Sequence, residues 1–197
     1  MAACGGEVAL PSDPSAGVRY PIGMVADPAG GRVYAVGANF DRAYRAGIVR
    51  AIDTATDRFV TGARQEVPGF AGGIAMQVDG DKAVRLVVPA RGDDSVSFID
   101  LGAASAFACG SKDDGRCSPA YRLGNGLTSQ SGIGVGDDPL GVFVQPLAGG
   151  ATRLHVAATS DGQVTVVDVA AGTPAGPGKA TLVDRFTLVT GLSAVVS

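Results

Sequence analysis

The sequence predicts an all-β protein built from a repeated unit of four short strands. Three observations support this prediction: many turn-forming residues, apolar residues at alternating positions, and an internal repeat. The 197 residues include 30 glycines and 11 prolines, and 46% of the chain is hydrophobic. Such a mixture is typical of a globular chain whose short strands are joined by tight turns.

Two segments show the alternation of a half-buried strand most clearly. They are Ser95–Asp100 and Gln163–Asp168. Successive side chains of a strand point to opposite faces of the sheet. A period of two therefore predicts strands that have one face in a core.

An internal repeat connects these segments. Each unit opens with a strand of small apolar residues, turns through Gly or Asp into a β-branched strand, and closes with a third strand that ends in aspartate. The closing aspartates are Asp53, Asp100 and Asp168, spaced 47 and then 68 residues apart. The distance from the second strand to this aspartate is 13 residues both from Val87 and from His155. We therefore interpret the uneven spacing of the aspartates as the result of insertions.

Two insertions explain the irregular spacing. In the first unit, 19 residues separate Tyr34 from Asp53, so six extra residues lie within Asn39–Ala46. The second unit has its extra length in Leu101–Ala120, after its closing aspartate. Function concentrates in loops carried by a rigid scaffold, so these two insertions are the best candidate contact loops.

The repeat also sets the expected boundaries along the chain. Fourth strands are expected at Arg58–Thr61, Tyr121–Leu123 and Ala180–Val189. The resulting segments are an N-terminal tether at 1–19, three units at 20–68, 69–136 and 137–189, and the start of a fourth unit at 190–197.

Four short segments carry a family resemblance. The first unit contains Val33-Tyr34-Ala35-Val36 and Ile52-Asp53-Thr54-Ala55-Thr56, and the third contains Pro139-Leu140-Gly141 and Val166-Val167-Asp168. They resemble the YVTN family of β-propeller repeats, over about residues 20–190. The resemblance implies a partial β-propeller of about three four-stranded antiparallel blades plus the start of a fourth.

The second and third units depart from the family pattern. The second has Val87-Val88 without the tyrosine and lacks the opening proline, and the third has Leu154-His155-Val156-Ala157 in its second strand. Known propellers close with roughly four to eight blades. We therefore expect the front part of a longer protein, or a chain that self-associates through its open blade edges, two chains forming one propeller being the less favoured arrangement.

The N-terminus resembles the end of a bacterial lipoprotein signal. Small residues precede Cys4, and Gly5-Gly6 follows it, although the basic and apolar parts of such a signal are missing. We expect Cys4 to accept a lipid, Glu7–Gly17 to form a flexible tether, and the protein to reside in the bacterial cell envelope. Under this prediction the only membrane attachment is through Cys4. The alternative is an incidental cysteine near a disordered terminus.

The other two cysteines enclose a short polar loop. Seven turn-forming residues separate Cys109 from Cys117, so the two ends can meet in a disulfide, which suits an oxidising, exported location. A zinc pair is the alternative, but the chain has one histidine and Cys4 lies in the tether, so further ligands are lacking.

Charge and motifs limit the function classes. The net charge of −3, three lysines and scattered arginines argue against nucleic-acid binding. No nucleophile elbow, P-loop or paired-histidine metal motif occurs, so no catalytic, cofactor-binding or metal-binding residue is assigned. His155 is expected to be an ordinary strand residue, and Arg91-Gly92-Asp93 a turn in place of an adhesion site.

These points favour a non-catalytic, exported scaffold that binds a protein, glycan or cell-envelope partner. The alternative is a fragment of a propeller enzyme, a lactonase-like hydrolase or an oxidoreductase, whose active residues lie partly in further blades. Active residues in such enzymes come from several blades and line the central channel, so this alternative stays open at the level of sequence.

Overall fold

The computed structural model describes residues 10–11, 17–102, 106–110, 115–124, 131–171 and 178–188. Within them the protein is all-β: a partial β-propeller of three antiparallel blades, with two short 3-10 helices at Pro119–Tyr121 and Ala148–Gly150. Cys4 and the predicted start of a fourth blade at 190–197 lie outside the described residues.

The strands of each blade follow one another from the inside outwards. Blade one contains β1 (Pro21–Ala26), β2 (Arg32–Gly37), β3 (Gly47–Asp53) and β4 (Arg58–Val67). Blade two contains β5 (Ala75–Asp79), β6 (Lys82–Ala90), β7 (Ser95–Leu101), β8 (Phe107–Ala108) and β9 (Arg122–Leu123). Blade three contains β10 (Pro139–Pro146), β11 (Thr152–Ala158), β12 (Gln163–Val169) and β13 (Ala180–Thr187).

The outermost strands differ from the sequence expectation. In blade one, β4 continues to Val67, because a bulge around Gly62 (φ 80°) interrupts the alternation and pairing then resumes. In blade two, β8 and β9 pair with opposite ends of β7 and share the fourth position, because the insertion leaves and rejoins this edge. Tyr121 lies in a 3-10 helix just before β9.

Each blade opens with the same backbone arrangement. The residue before the first paired position has a positive φ, which is uncommon for residues other than glycine. These residues are Tyr20 (φ 47°), Phe70 (φ 53°) and Asp138 (φ 58°). Their carbonyl oxygens accept 3.1 Å hydrogen bonds from the backbone N–H groups of Ala38, Arg91 and Thr159, respectively. The three blades therefore share one structural register at their openings.

This register corrects the sequence alignment of blade two. Ala71 pairs with Ala90 just as Pro21 pairs with Gly37 at the opening of blade one. Blade two therefore opens at Ala71, two residues before the Gly73 at which the sequence repeat placed it. Alanine occupies the position of the missing proline, which explains why the sequence pattern failed there.

Small residues allow the innermost strands to approach closely. A Cβ atom on Gly72 would lie 2.1 Å from the carbonyl oxygen of Leu140, and the Gly73 N–H donates a 2.8 Å hydrogen bond to that same oxygen. A side chain at position 72 would therefore force blades two and three apart. The core lies further out, between the middle strands of the blades, where Tyr34, Leu86 and Leu154 are fully buried.

An arginine lies directly opposite the closing aspartate in every blade. The cross-strand pairs are Arg32 with Asp53, Arg85 with Asp100, and Arg153 with Asp168. Arg85 Nε lies 2.5 Å from Asp100 Oδ1, and Arg153 binds Asp168 through two hydrogen bonds of 2.7 and 2.9 Å. Opposite charges at facing positions stabilise a strand pair. The arginine is thus a repeat position that the sequence pattern alone did not reveal.

Asp53 combines this cross-strand position with a role in the following turn. Its Oδ1 accepts hydrogen bonds from the backbone N–H groups of Ala55 and Thr56 and from the Thr56 hydroxyl, at 2.9–3.0 Å. The bonds from Thr56 hold the pKa of the Asp53 carboxyl below its ordinary value. An aspartate at the end of the third strand therefore stabilises the reversal of the chain into β4.

Asp138 connects blade two to blade three. Its carboxylate accepts a hydrogen bond from the Ser160 hydroxyl and lies 3.3 Å from Arg91 Nε, while its backbone N–H donates a 3.0 Å bond to Asp94 Oδ1. The bond from Ser160, and secondarily Arg91, lowers the pKa of Asp138. The ionised carboxylate therefore helps to hold the two blades together.

The buried and exposed ion pairs predict different mutational effects. In Asp100→Ala, the Arg85 side chain, which is only 7% exposed, loses its carboxylate, so the free energy of unfolding should fall by about 3 kcal/mol. Asp168→Ala should cost much less, because both side chains of its pair are 33% exposed. Urea unfolding followed by far-UV circular dichroism measures both, and equal losses would show that burial of the arginine does not set the cost.

The lowered pKa of Asp138 predicts a pH-dependent contribution to stability. A carboxyl whose pKa is lower in the folded state contributes stability above its unfolded pKa of about 4 and loses it as the pH falls through the folded pKa. Asp138→Asn should therefore be less stable than wild type at neutral pH, and this difference should shrink towards about pH 2. The measurement is urea unfolding across that pH range; a constant difference would show that ionisation of Asp138 is irrelevant.

Candidate functional site

The two insertions meet on one side of the molecule, at the boundary between blades one and two. The Arg45 Nε of the first insertion donates a 2.9 Å hydrogen bond to Glu66 Oε2 on β4. From the second insertion, Gly115 O accepts a 2.6 Å bond from the Gln65 side chain, and Arg116 forms a backbone bridge with Glu66. The buried Glu66 therefore ties together loops that lie far apart in the sequence.

A cleft of about 280 Å³ lies where the insertions meet. We call it the insert cleft. Its walls come from both insertions and from the turns at the blade openings, and include Asn39, Arg42, Tyr44, Arg45, Phe70, Asp93 and Arg116. It therefore contains residues from both segments that the sequence indicates as contact loops.

Asn39 shapes the first insertion. It is buried, has a φ of 54°, and its side-chain amide bonds both the carbonyl oxygen and the N–H of Tyr44, at 2.6 and 3.3 Å. This asparagine closes the loop on itself. Arg42, at the tip, lies over the ring of Phe70 at 4.9 Å and remains exposed.

Positive charge exceeds negative charge around the insert cleft. The acids Glu66 and Asp93 lie there together with the five arginines Arg42, Arg45, Arg64, Arg116 and Arg122. The surplus of three positive charges contrasts with the net charge of −3 of the whole chain. Arginines that are scattered along the sequence are therefore concentrated by the fold, a clustering for which the sequence carries no local signal.

A further arginine adds to this positive region at a cost in stability. Arg50 is buried and lies directly opposite Arg64 in the β3–β4 register. Burial, and secondarily the charge of Arg64, lowers the pKa of Arg50. Like charges at facing strand positions are unfavourable, so the pair raises the positive potential of this part of blade one at the expense of local stability.

Asp93 is an internal anchor of the cleft. Burial raises the pKa of its carboxyl, although it accepts a 2.6 Å hydrogen bond from Ser95 and pairs with Arg122 at 2.8 Å. Arg91-Gly92-Asp93 forms the turn from β6 to β7, as the sequence predicted. Its acidic residue is directed to Arg122, an arrangement that does not suit an exposed adhesion tripeptide.

The N-terminal segment also reaches this site. The backbone N–H of Arg45 donates a 3.1 Å hydrogen bond to the carbonyl oxygen of Pro11. Leu10 lines the insert cleft and keeps 45% of its surface exposed. A short stretch of the predicted tether therefore lies against the first insertion.

The cysteines of the second insertion stand at bonding distance. The sulfur atoms of Cys109 and Cys117 are 2.12 Å apart, both residues are buried, and Ser118 N–H donates a 3.0 Å bond to Cys109 O. This closes the loop that presents Arg116. Among the described residues, no group of three or more His, Cys, Asp or Glu side chains is placed to hold a metal ion.

Two other sequence features occupy structural positions. His155 lies on β11, with its Nε2 atom 3.4 Å from Gln145 Oε1 and its ring 5.9 Å from that of Phe143. Asp79-Gly80-Asp81 forms the turn between β5 and β6, where Gly80 has a φ of 57°. Neither arrangement assembles a reactive group.

A larger cleft of about 580 Å³ lies between blades two and three. Its principal charged residues, Arg85 and Asp100, are bound to each other, so their charges are balanced within the protein. The insert cleft is smaller but has unbalanced charge and walls from both insertions. We therefore take the insert cleft as the candidate functional site.

Comparison with known proteins supports the fold but assigns no activity. No protein-family profile and no curated protein matches this chain. In structure, the chain is similar to a functionally unknown protein from Desulfotomaculum acetoxidans DSM 771, with a TM-score of 0.58 and 12% sequence identity. The match covers 86% of this chain and 43% of that structure, so the chain spans less than half of its length.

The described part of the chain contains no helix with the length and apolarity that a bilayer crossing requires. The predicted attachment site, Cys4, lies outside the described residues. The membrane attachment through Cys4 therefore stays a prediction.

The loop closed by Cys109 and Cys117 predicts a measurable contribution to stability. Replacing both cysteines by serine should lower the free energy of unfolding by about 2.5 kcal/mol, on the loop-entropy estimate for a loop of this length. Urea unfolding of the double variant against Cys4→Ser, which keeps both loop cysteines, measures the effect. Equal stability of the two variants would show that the loop needs no covalent closure.

Proposed function

We propose that this protein is an exported, non-catalytic β-propeller scaffold of the YVTN type that binds a protein, glycan or cell-envelope partner at the insert cleft. The observation that carries the proposal is the convergence of the two insertions. They belong to different blades, yet Arg45 from one and Arg116 from the other meet at the buried Glu66.

The scaffold suits a binding role because it holds these loops rigidly. The insertions rest on blades whose openings are joined by repeated backbone hydrogen bonds, and the Asn39 side chain orders the first insertion internally. Little conformational freedom would be lost on binding, which favours affinity.

The chemistry of the cleft also favours binding over catalysis. Glu66 and Asp93 are each held by arginines at 2.8–3.6 Å, so they serve as structural anchors for the guanidinium groups. Arg42, which is exposed, and the ring of Phe70 present charge and apolar surface side by side. Such a combination is typical of binding hot spots.

Export and lipid attachment belong to the same proposal. A disulfide in the loop of Cys109 and Cys117 would persist in an oxidising compartment, as in the bacterial periplasm. Cys4 and the tether after it would attach the propeller to a membrane while leaving the insert cleft accessible.

The test measures binding of the purified full chain to arrays of defined peptides and of neutral and anionic glycans. The double variant Arg42→Ala/Arg116→Ala removes charge from the cleft but keeps Arg45, so that the buried Glu66 retains its partner. We expect at least about tenfold weaker binding of the recognised ligand, the effect of losing one charge-assisted contact. Arg58→Ala, an exposed arginine at the other end of blade one, is the matched control and should bind normally.

Two results would contradict the proposal. One is unchanged binding of every recognised ligand by the double variant. The other is metal-dependent hydrolysis of an aryl lactone by the full chain, which would support the enzymatic alternative.

A further inference from the structure

We infer that the insert cleft recognises an extended acidic peptide, and that the chain's own tether at Leu10–Pro11 occupies part of the cleft until such a peptide displaces it. The inference rests on the proposed function, because it assigns a ligand class to the same cleft. Three observations carry it: a main-chain contact, the sign of the charge, and the apolar surface beside that charge.

The main-chain contact is the bond from Arg45 N–H to Pro11 O, at 3.1 Å. It is the kind of interaction by which a protein holds an extended peptide, with the backbone giving affinity and neighbouring pockets giving specificity. Leu10, the adjacent residue, lines the cleft. The site therefore already contacts two consecutive residues of a peptide chain, which favours a peptide ligand over a glycan.

The charge of the site specifies an acidic partner. Arginine forms strong, often bidentate hydrogen bonds with carboxylates, and the insert cleft has a surplus of three positive charges. The tether has matching chemistry in its sequence. Its first 18 residues include Glu7 and Asp13 and contain no lysine or arginine.

Aromatic rings provide the apolar part of the site. The guanidinium of Arg42 lies 4.9 Å from the ring centre of Phe70, and that of Arg19 lies 4.9 Å from the ring centre of Tyr44. Each pair presents an apolar ring next to a cation. A peptide that carries a leucine or proline between acidic residues would use both kinds of surface, as the segment around Leu10 does in sequence.

An intrachain occupant has a thermodynamic consequence. A segment tethered close to its site competes at a high effective concentration, so it weakens the apparent affinity for a peptide in solution. Weakening the contact of the tether should therefore strengthen the binding of an external peptide. A purely structural role for Leu10–Pro11 would not produce this gain.

The experiment measures fluorescence anisotropy of two labelled probes with the full chain: acetyl-Glu-Glu-Leu-Pro-Glu-Glu and the same peptide with glutamine in place of glutamate. We expect the acidic probe to bind at least about tenfold more tightly than the glutamine probe, and Arg42→Ala/Arg116→Ala to remove most of that difference. Arg58→Ala should match wild type. The tether variant Glu7→Gln/Leu10→Ser/Asp13→Asn should bind the acidic probe several-fold more tightly than wild type.

The outcomes separate this inference from the proposed function. Equal binding of the two probes, or unchanged affinity in the tether variant, would overturn the inference. Cleft-dependent binding of polygalacturonate without binding of the acidic peptide would also overturn it, while leaving the proposed function intact. Failure of the cleft variant to alter binding of any array ligand would overturn both. Circular dichroism spectra that match wild type establish that each variant is folded.

Discussion

The structure depends on one repeated backbone hydrogen bond at the opening of each blade. Tyr20, Phe70 and Asp138 adopt a positive φ, and their carbonyl oxygens accept the N–H of the residue that follows the second strand. This bond fixes where the innermost strand begins relative to its neighbour. The close approach of Gly72 to Leu140 then sets blades two and three side by side, and the buried middle strands pack further out.

The candidate site follows from this placement of the blades. Because blades one and two are adjacent, insertions at different positions of the two blades reach the same boundary. A carboxylate buried at that boundary must be neutralised, and Arg45 and Arg64 on the two sides of Glu66 meet that requirement. The acid thus fixes guanidinium groups in place, while the remaining arginines give the cleft its positive charge.

Sequence reasoning recovered the strands wherever side chains alternate regularly, and it located both insertions from the spacing between Tyr34 or Val87 and the next closing aspartate. It missed features that have no local signal. The blade-two opening at Ala71 lacks a proline, and the bulge at Gly62 breaks the period of two in β4. The arginine opposite each closing aspartate was missed because cross-strand partners are separated in sequence by 15 to 21 residues.

The sequence by itself determined the all-β class, the repeat of four-stranded blades, and the two insertions as the irregular parts of that repeat. These properties are local, since they depend on alternation, turn residues and spacing. Only the tertiary structure decided that the insertions face one another and that scattered arginines form one positive cleft against the tether at Leu10–Pro11. Charge clustering depends on which residues are neighbours in space, and here the packing of adjacent blades establishes those neighbours.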